Sequence, residues 1–522
     1  MRRMIEACDP LRILFGKIIA IFTFILYNYL SKVFFIPFIK RGDIIMRRKV
    51  LFVIVSIALL CCVLGALVAC ESYKADPIET VGDAEAVVKS NGGLAVTQGD
   101  YLYFINGYTG YLTENGEDNH FGSVSKGAIY RVSCKDGVLG TDYQVIVPKS
   151  IMASSEDVGF SIYGEYIYYV SPSPEENRNT GEVKTSTLQF LRTKIDGTGT
   201  ELILSVKNNA VRYKYTPISL FVYNEETLYV KDLTAKSFKA SDMGKVIDED
   251  VTAIHFPKSE MYDPKVGATV ADYVFYTKQV EPSDTNYTNI LYAVSPDGSE
   301  KVTVIKENSY KDKPYSIEVI ASGVEDGAIT LYYTKGYYVG TSSTITEAGT
   351  YAYIFADKKF DSFNEALEKK LTSSTLSTVY ADGGKGLIVS GSSQNTVFYR
   401  TEGGILPYGE LKMDKLIAID ATYFYYLNGD DKLMRFARDD NSNACYAYDS
   451  DEKFMTSFAS AEYIDGCIYG IVDDDYDYMY RIDLSTIDVK DPSSVSFERI
   501  GVVTAEDEAK MKEAEENEDD ED

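Results

Sequence analysis

The sequence contains no Trp and only 2 His among 522 residues, and its 52 Lys+Arg are outnumbered by 79 Asp+Glu. Each shortage removes a class of function. Two imidazoles do not make a His-rich zinc site, and they leave His120 and His255 as the sole imidazole bases. A formal net charge of −27 repels a phosphate backbone, so nucleic acid is excluded as a partner. No Gly-x-Ser-x-Gly elbow precedes a helix, no carboxylate pair stands out for acid–base work, and no cofactor is expected. Of the seven Cys, Cys61 and Cys62 fall in an apolar leader, while Cys134, Cys445 and Cys467 lie in the body. Buried free thiols are the expectation, given apolar neighbours such as Ile468, and a Cys445–Cys467 bridge, which an oxidising compartment would permit, is the alternative.

Tyrosine is abundant: there are 43 Tyr and 24 Phe, and 45% of residues are hydrophobic. That is enough to fill a core, which excludes wholesale disorder. The charge is uneven. Residues 1–69 hold 10 Lys/Arg and 3 Asp/Glu, which leaves the remainder at −34. A basic, apolar head precedes a very acidic body.

The head explains its own charge. Met46-Arg47-Arg48-Lys49 is followed by an apolar stretch from Val50 to Val63 and then by Leu67-Val68-Ala69-Cys70. A basic n-region, an apolar h-region and a small residue at the cut make an export signal over residues 46–69. The last four residues resemble the lipobox of bacterial lipoproteins. That resemblance implies diacylglyceryl (palmitate-type) attachment to Cys70 and cleavage before it, and so export to the outer face of the bacterial cytoplasmic membrane. Two acyl chains suffice for stable anchoring. Residues 70–85 read as a polar tether. Residues 1–45 contain a second apolar stretch, Ile13–Leu30. They are either a mis-called extension ahead of a start at Met46, the reading preferred here, or a transmembrane segment. Peptides from residues 4–40 are therefore expected to be missing from mass-spectrometric digests of cells making the protein. Their detection would make the extension real.

The body carries a repeat. A turn followed by an apolar, Tyr-bearing strand recurs at Gly99–Phe104, Gly164–Tyr169, Thr227–Val230, Ala271–Tyr276, Ile329–Tyr333, Gly386–Val389, Ala421–Tyr426 and Gly466–Gly470. The mean period is about 52 residues, within the range of propeller blades. Most copies are followed by a second strand with a polar tail, such as Ile129-Tyr130-Arg131-Val132 before Asp136-Gly137. Asp-Gly supplies the positive φ of a tight hairpin. The first strand is apolar on both faces, as a strand packed between neighbouring sheets must be. The spacing predicts an all-β fold over 86–503, a β-propeller of seven or eight four-stranded blades. Two stacked β-sandwiches are the alternative. Phe360, Phe363, Leu367 and Leu371 predict one helical insertion, capped by Asp361 or Ser362. The repeat resembles the Tyr-Trp-Thr-Asp propellers of low-density-lipoprotein-receptor type and, more closely, uncharacterised Gram-positive surface lipoproteins that carry propellers. Without Trp the signature tetrapeptide is absent, so the resemblance implies architecture and no ligand site.

Connections between the Tyr strand and the Arg strand are expected to be long and to gather on one face. They bring Tyr108, Tyr111, His120, Phe121, Tyr287, Tyr337 and Tyr338 forward as ligand-face candidates. Exposed aromatics suit protein or glycan recognition. Asp473, Asp475 and Asp477 are candidate Ca²⁺ ligands, weighed against a solvated hairpin tip; no metal is otherwise expected. His255 reads as strand structure. Residues 504–522 hold eleven acids and read as an extended, disordered tail. The leading expectation is a lipid-anchored, monomeric binding or scaffold module on the cell surface. A polysaccharide hydrolase or lyase of the envelope is the alternative.

Overall fold

The computed structural model describes residues 82–339, apart from the connections 107–126, 148–149, 151–158, 174–185, 258–260, 281–285, 311–314 and 326–327. Beyond 339 it describes the strands below and a few residues adjoining them, ending at 501. The chain divides into two units, Met1–Ser72 and Tyr73–Asp522. Every described residue belongs to the second. No helix among them is long and apolar enough to cross a membrane.

The described residues are almost entirely strand, in eight antiparallel sheets taken in chain order. Sheet one is built on Ala95–Gln98, Tyr101–Asn106, Ala128–Lys135 and Gln144–Val147. Sheet two has Ser161–Tyr163, Tyr166–Pro172, Thr187–Lys194 and Glu201–Lys207. Sheet three has Arg212–Tyr215, Ser219–Asn224, Thr227–Asp232 and Lys245–Asp248. Sheet four has Val251–His255, Val274–Val280, Asn286–Val294 and Lys301–Tyr310. Sheets five to eight open on Tyr315–Glu325, Thr378–Asp382, Lys415–Ile419 and Ala461–Ile464. Their second strands are Ala328–Val339, Gly386–Ser390, Tyr423–Leu427 and Cys467–Val472.

Seven of the eight Tyr-bearing copies are second strands of their sheets; Thr227–Val230 is a third strand instead. In sheet three the second strand is Ser219–Asn224, whose Leu220, Phe221 and Val222 are buried without the Gly-Tyr signature. Burial on both faces holds where it was predicted, since Leu102–Phe104 and Ile167–Val170 are all buried. Asp136 and Gly137, at φ 52° and 80°, make the expected two-residue hairpin. The predicted helix is corrected at its start. Phe360 pairs with Tyr353 in a strand, Lys359–Ser362, because alternation on a sheet edge outweighs the helical spacing there. Phe363, Leu367 and Leu371 lie outside the described residues.

Cores form between successive sheets, not within two-layer sandwiches. One apolar cluster joins sheets one, two and eight, through Phe104, Ile162, Ile464 and Met479. Others join two to three, three to four and four to five. Sheet one therefore packs against sheet two on one side and sheet eight on the other. Close approach is needed at the first of these boundaries, where a Cβ on Gly159 would sit 1.8 Å from the Gly93 carbonyl oxygen.

A polar ladder runs through the same repeat. In sheets one, two and seven the second strand presents Tyr-x-Tyr, and an Arg on the third strand stands opposite the second Tyr: Arg131 to Tyr103, Arg192 to Tyr168, Arg435 to Tyr425. The guanidinium lies over the first Tyr ring, at 4.2, 4.3 and 4.6 Å in turn. The fourth strand supplies an acceptor opposite the Arg, Gln144 in sheet one (3.2 Å) and Glu201 in sheet two (2.8 Å). In sheet eight Arg481 stands opposite Tyr469 and bonds Glu498 at 2.8 Å. These side chains also latch neighbouring sheets. Arg192 donates to the Leu233 carbonyl of sheet three at 3.2 Å, and Arg481 to the Gly137 carbonyl of sheet one at 2.8 Å. Lys245 of sheet three reaches Gly298 of sheet four in the same manner, at 2.8 Å. The accepting carbonyls belong to turns leaving third strands. Several of those turns are closed by Asp-x-Ser/Thr, as in Asp196–Thr198, Asp297–Ser299 and Asp483–Ser485.

The junction of sheets three and four is also ionic. Asp248 accepts from Lys278 (2.6 Å), Tyr276 (2.8 Å) and Lys301 (3.1 Å). Burial opposes its charge, but these three donors outweigh it and hold the carboxyl at about 2. The contribution is thus present above the unfolded carboxylate range near 3.8 and is lost as pH falls through about 2. Asp248→Asn is expected to cost about 2 kcal/mol at pH 7 by urea denaturation, and less than half of that at pH 2.5.

Candidate functional site

Tyr108, Tyr111, His120 and Phe121 lie outside the described residues. The other ligand-face candidates are corrected from loop to strand. Tyr287 is on the third strand of sheet four, opposite Ser309. Tyr337 and Tyr338 extend the second strand of sheet five, opposite Tyr315 and Ser343. Tyr and Thr favour extended backbone, and here they lengthen hairpins instead of opening loops. Asp475 and Asp477 are likewise on a strand, Asp475–Asp483, and Asp475 pairs with Val472 across the hairpin. Asp473 is outside the described residues. Among those residues no three His, Cys, Asp or Glu converge as a metal site. Cys467 is buried and free, and Cys134 is free and partly buried.

The sequence did not announce how sheet four behaves. Between its first two strands the chain leaves the sheet, and Met261-Tyr262 pairs with Val88-Lys89 beside sheet one. Tyr262 meets the Tyr163 ring of sheet two edge-on at 5.0 Å. The excursion returns through a single 3-10 turn, Val270–Asp272, whose Thr269 and Asp272 form a capping box. Lys214, on the first strand of sheet three, is almost wholly buried and donates to the carbonyls of Pro257 (2.7 Å) and Ala271. Burial lowers its pKa to about 8, against the opposing pull of Asp272. The excursion is thereby tied to sheets one, two and three.

His255 ends the first strand of sheet four, as strand structure, with Nε2 at 2.7 Å from the Ser322 hydroxyl of sheet five. A Ser–His contact invites a nucleophile reading, but the electrostatics oppose it. Burial first, then the positive charges of Lys214 and Arg212, lower the imidazole to about 3. A base so reluctant to hold a proton does not activate a hydroxyl at neutral pH. The pair is a neutral hydrogen bond between the first strands of sheets four and five.

Two cavities among the described residues bear on a site. One, of about 880 Å³, lies at the third and fourth strands of sheet three, where Lys231 donates to the Lys239 and Asp242 carbonyls. The other, of about 760 Å³, sits where sheets seven, eight and one meet and is lined by Tyr423, Tyr425, Arg435, Cys467, Arg481 and Glu498. It gathers aromatic faces, two guanidiniums and carboxylates at a seam, which makes it the candidate site. No sequence motif marks it: its residues come from three sheets at opposite ends of the body.

The chain matches no protein-family model and no curated protein. Solved structures overlay it partially. The C-terminal WD40 domain of Sif2 is 9% identical at a TM-score of 0.34, over 64% of this chain and 81% of that domain. The polysaccharide lyase Uly1 is 9% identical at 0.34, over 79% and 96%. An uncharacterised protein of Listeria monocytogenes is 9% identical at 0.28, over 67% and 81%. No residue role transfers from overlays this distant, and no family match accompanies the resemblance to receptor-type propellers.

The imidazole gives a pH signature. The unfolded His takes its proton near 6.5 and the folded one at about 3, so unfolding gains a proton between these values and stability rises with pH across them. Thermal midpoints are expected to fall on acidification from pH 6.5 to pH 4. His255→Gln is expected to flatten that slope. An unchanged slope would remove His255 as its source.

Proposed function

We propose that the protein is a lipid-anchored surface binding module, built as an eight-bladed β-propeller that presents its second-to-third-strand connections to a protein or glycan. One observation carries the architecture. Arg481 of the last sheet reaches the exit turn of the first just as Arg192 of sheet two reaches that of sheet three. Ser90 with Glu462 (2.8 Å) and Lys89 with Asp465 (2.5 Å) add side-chain bonds between the same end sheets. A ring that brings its last blade to its first leaves no sheet face unpaired.

The location rests on Leu67-Val68-Ala69-Cys70 and the basic, apolar run before it. An acyl chain at Cys70 would hold a strongly anionic body at the membrane, while anionic headgroups repel it outward. Antiparallel sheets entered in the same sense put every second-to-third connection on one rim, and 107–126 and 174–185 are among the longest. Binding fits better than catalysis at the inner strands. The excursion of sheet four packs beside sheets one, two and three, and His255 is held neutral.

An alkynyl fatty acid fed to producing cells is expected to label the protein, and Cys70→Ser to abolish labelling and release the chain from membranes. Labelling that survives the substitution would overturn the anchor. Exchange of residues 108–121 for a Gly/Ser stretch is expected to reduce glycan-array or envelope pull-down binding at least tenfold. Turnover of an envelope polysaccharide by the purified chain would replace the binding reading with an enzymatic one.

A further inference from the structure

The first and last sheets each carry a thiol at their common seam. On the third strand of sheet one, alternation puts Tyr130, Val132 and Cys134 on one face. Tyr130 stands opposite Phe104 and stacks on its ring at 5.8 Å. That ring lies 3.8 Å from where a Cβ on Gly501, just past the last strand of sheet eight, would stand. This face is therefore turned to sheet eight. On sheet eight, Cys467 and Tyr469 share a face, and Arg481 stands opposite Tyr469. Arg481 bonds the Gly137 carbonyl of sheet one at 2.8 Å, so this face is turned to sheet one.

The two cysteines also stand at the same level of the seam. Cys134 is next to last in its strand, shortly before Gly137, and Cys467 opens its own strand. Both belong to one apolar cluster, Cys467 as a buried member and Cys134 packed against it. They share polar neighbours as well. Burial raises the pKa of each thiol, and the Arg481 guanidinium and the Tyr469 hydroxyl oppose that rise at both. Cys467 is itself among the groups that raise Cys134. A disulfide needs two Cβ vectors that converge, and opposed faces at one level supply them.

We propose that Cys134 and Cys467 are a redox-sensitive pair that ties the last sheet to the first by a disulfide when a small-molecule disulfide is the oxidant, and releases it on reduction. The inference rests on the contacts between sheets one and eight and on neither the lipid anchor nor a ligand, so its failure would leave those readings standing. The cavity of about 760 Å³ is lined by Cys467 and by residues 136–139 of the neighbouring hairpin, and it gives the oxidant a way in. The Cys467 thiolate attacks one sulfur of the external disulfide, forming a mixed disulfide and expelling one thiolate. Cys134 then attacks the Cys467 sulfur, which breaks the mixed bond, forms the internal one and expels the second thiolate. The protons of the two cysteines end on the two released thiols, and the electron pair the cysteines give up reduces the external disulfide.

The test uses the purified full chain. It is incubated with oxidised glutathione at about pH 8.5, where a fraction of such thiols ionises, then alkylated and digested with trypsin without reduction. Mass spectrometry is expected to find the Cys134 and Cys467 peptides linked. Trypsin cuts at Lys453 and so tells Cys467 from Cys445. The link is expected to form at least about tenfold faster in the native chain than in urea, because only the fold brings the sulfurs together. The thermal midpoint of the oxidised chain is expected to exceed that of the reduced chain by roughly 5 °C, and Cys134→Ser to remove both the link and the difference. Alkylation of both thiols with no link, glutathione retained on either cysteine, a link from Cys467 to Cys445, or a link formed equally fast in urea would each overturn the inference. The oxidised and reduced states are compared on the unaltered chain, so the test stands even if the variant does not fold.

Discussion

The buried guanidinium is the interaction on which the arrangement depends. An arginine in the middle of a sheet is costly to desolvate unless every edge finds a partner. Here the cost is met by a tyrosine face, a fourth-strand carboxylate or amide, and a carbonyl on the neighbouring sheet. The last of these gives the repeat its reach. Sheets two and eight satisfy their arginines in part by touching the next sheet, which fixes the placement of that neighbour.

Apolar packing completes what the arginines orient. Second strands such as Tyr101–Asn106 and Tyr166–Pro172 are buried on both faces, so a sheet with only one neighbour would leave an apolar face in water. Sheet one escapes this because sheet eight lies on its other side, through Ile464, Met479 and Ile500. Among the described residues the buried acids are Asp272 and Glu462. Asp248, partly buried, is matched by two lysines and a tyrosine.

The first strands of sheets three and four show how local chemistry limits function. Burial first, and then the positive charges of Lys214 and Arg212 beside it, keep the His255 imidazole neutral. Their hydrogen bonds end on backbone carbonyls and on Ser322. This part of the molecule holds an excursion in place, and the open chemistry lies at the seam of the terminal sheets.

Much of this was legible in the order of residues. The Tyr strand, the Arg strand and the Asp-Gly turn recur because each blade-sized unit solves the same local problem, and local problems are written locally. The Leu67-Val68-Ala69-Cys70 run and the acidic balance are also properties of the chain alone. Sheet three escaped the pattern because Leu220–Val222 fill its second strand without the signature, and Tyr287, Tyr337 and Tyr338 were placed in loops because hairpin length is not encoded by turn residues. Other features depended on tertiary structure. The pairing of Met261-Tyr262 with Val88-Lys89, the proton affinity of His255 and the bond from Arg481 to the Gly137 carbonyl each arise from residues far apart in sequence. Cys467 in place of a tyrosine is visible in the sequence as one irregular repeat. That it shares an apolar cluster with Cys134 of sheet one is decided only when the two sheets are brought together.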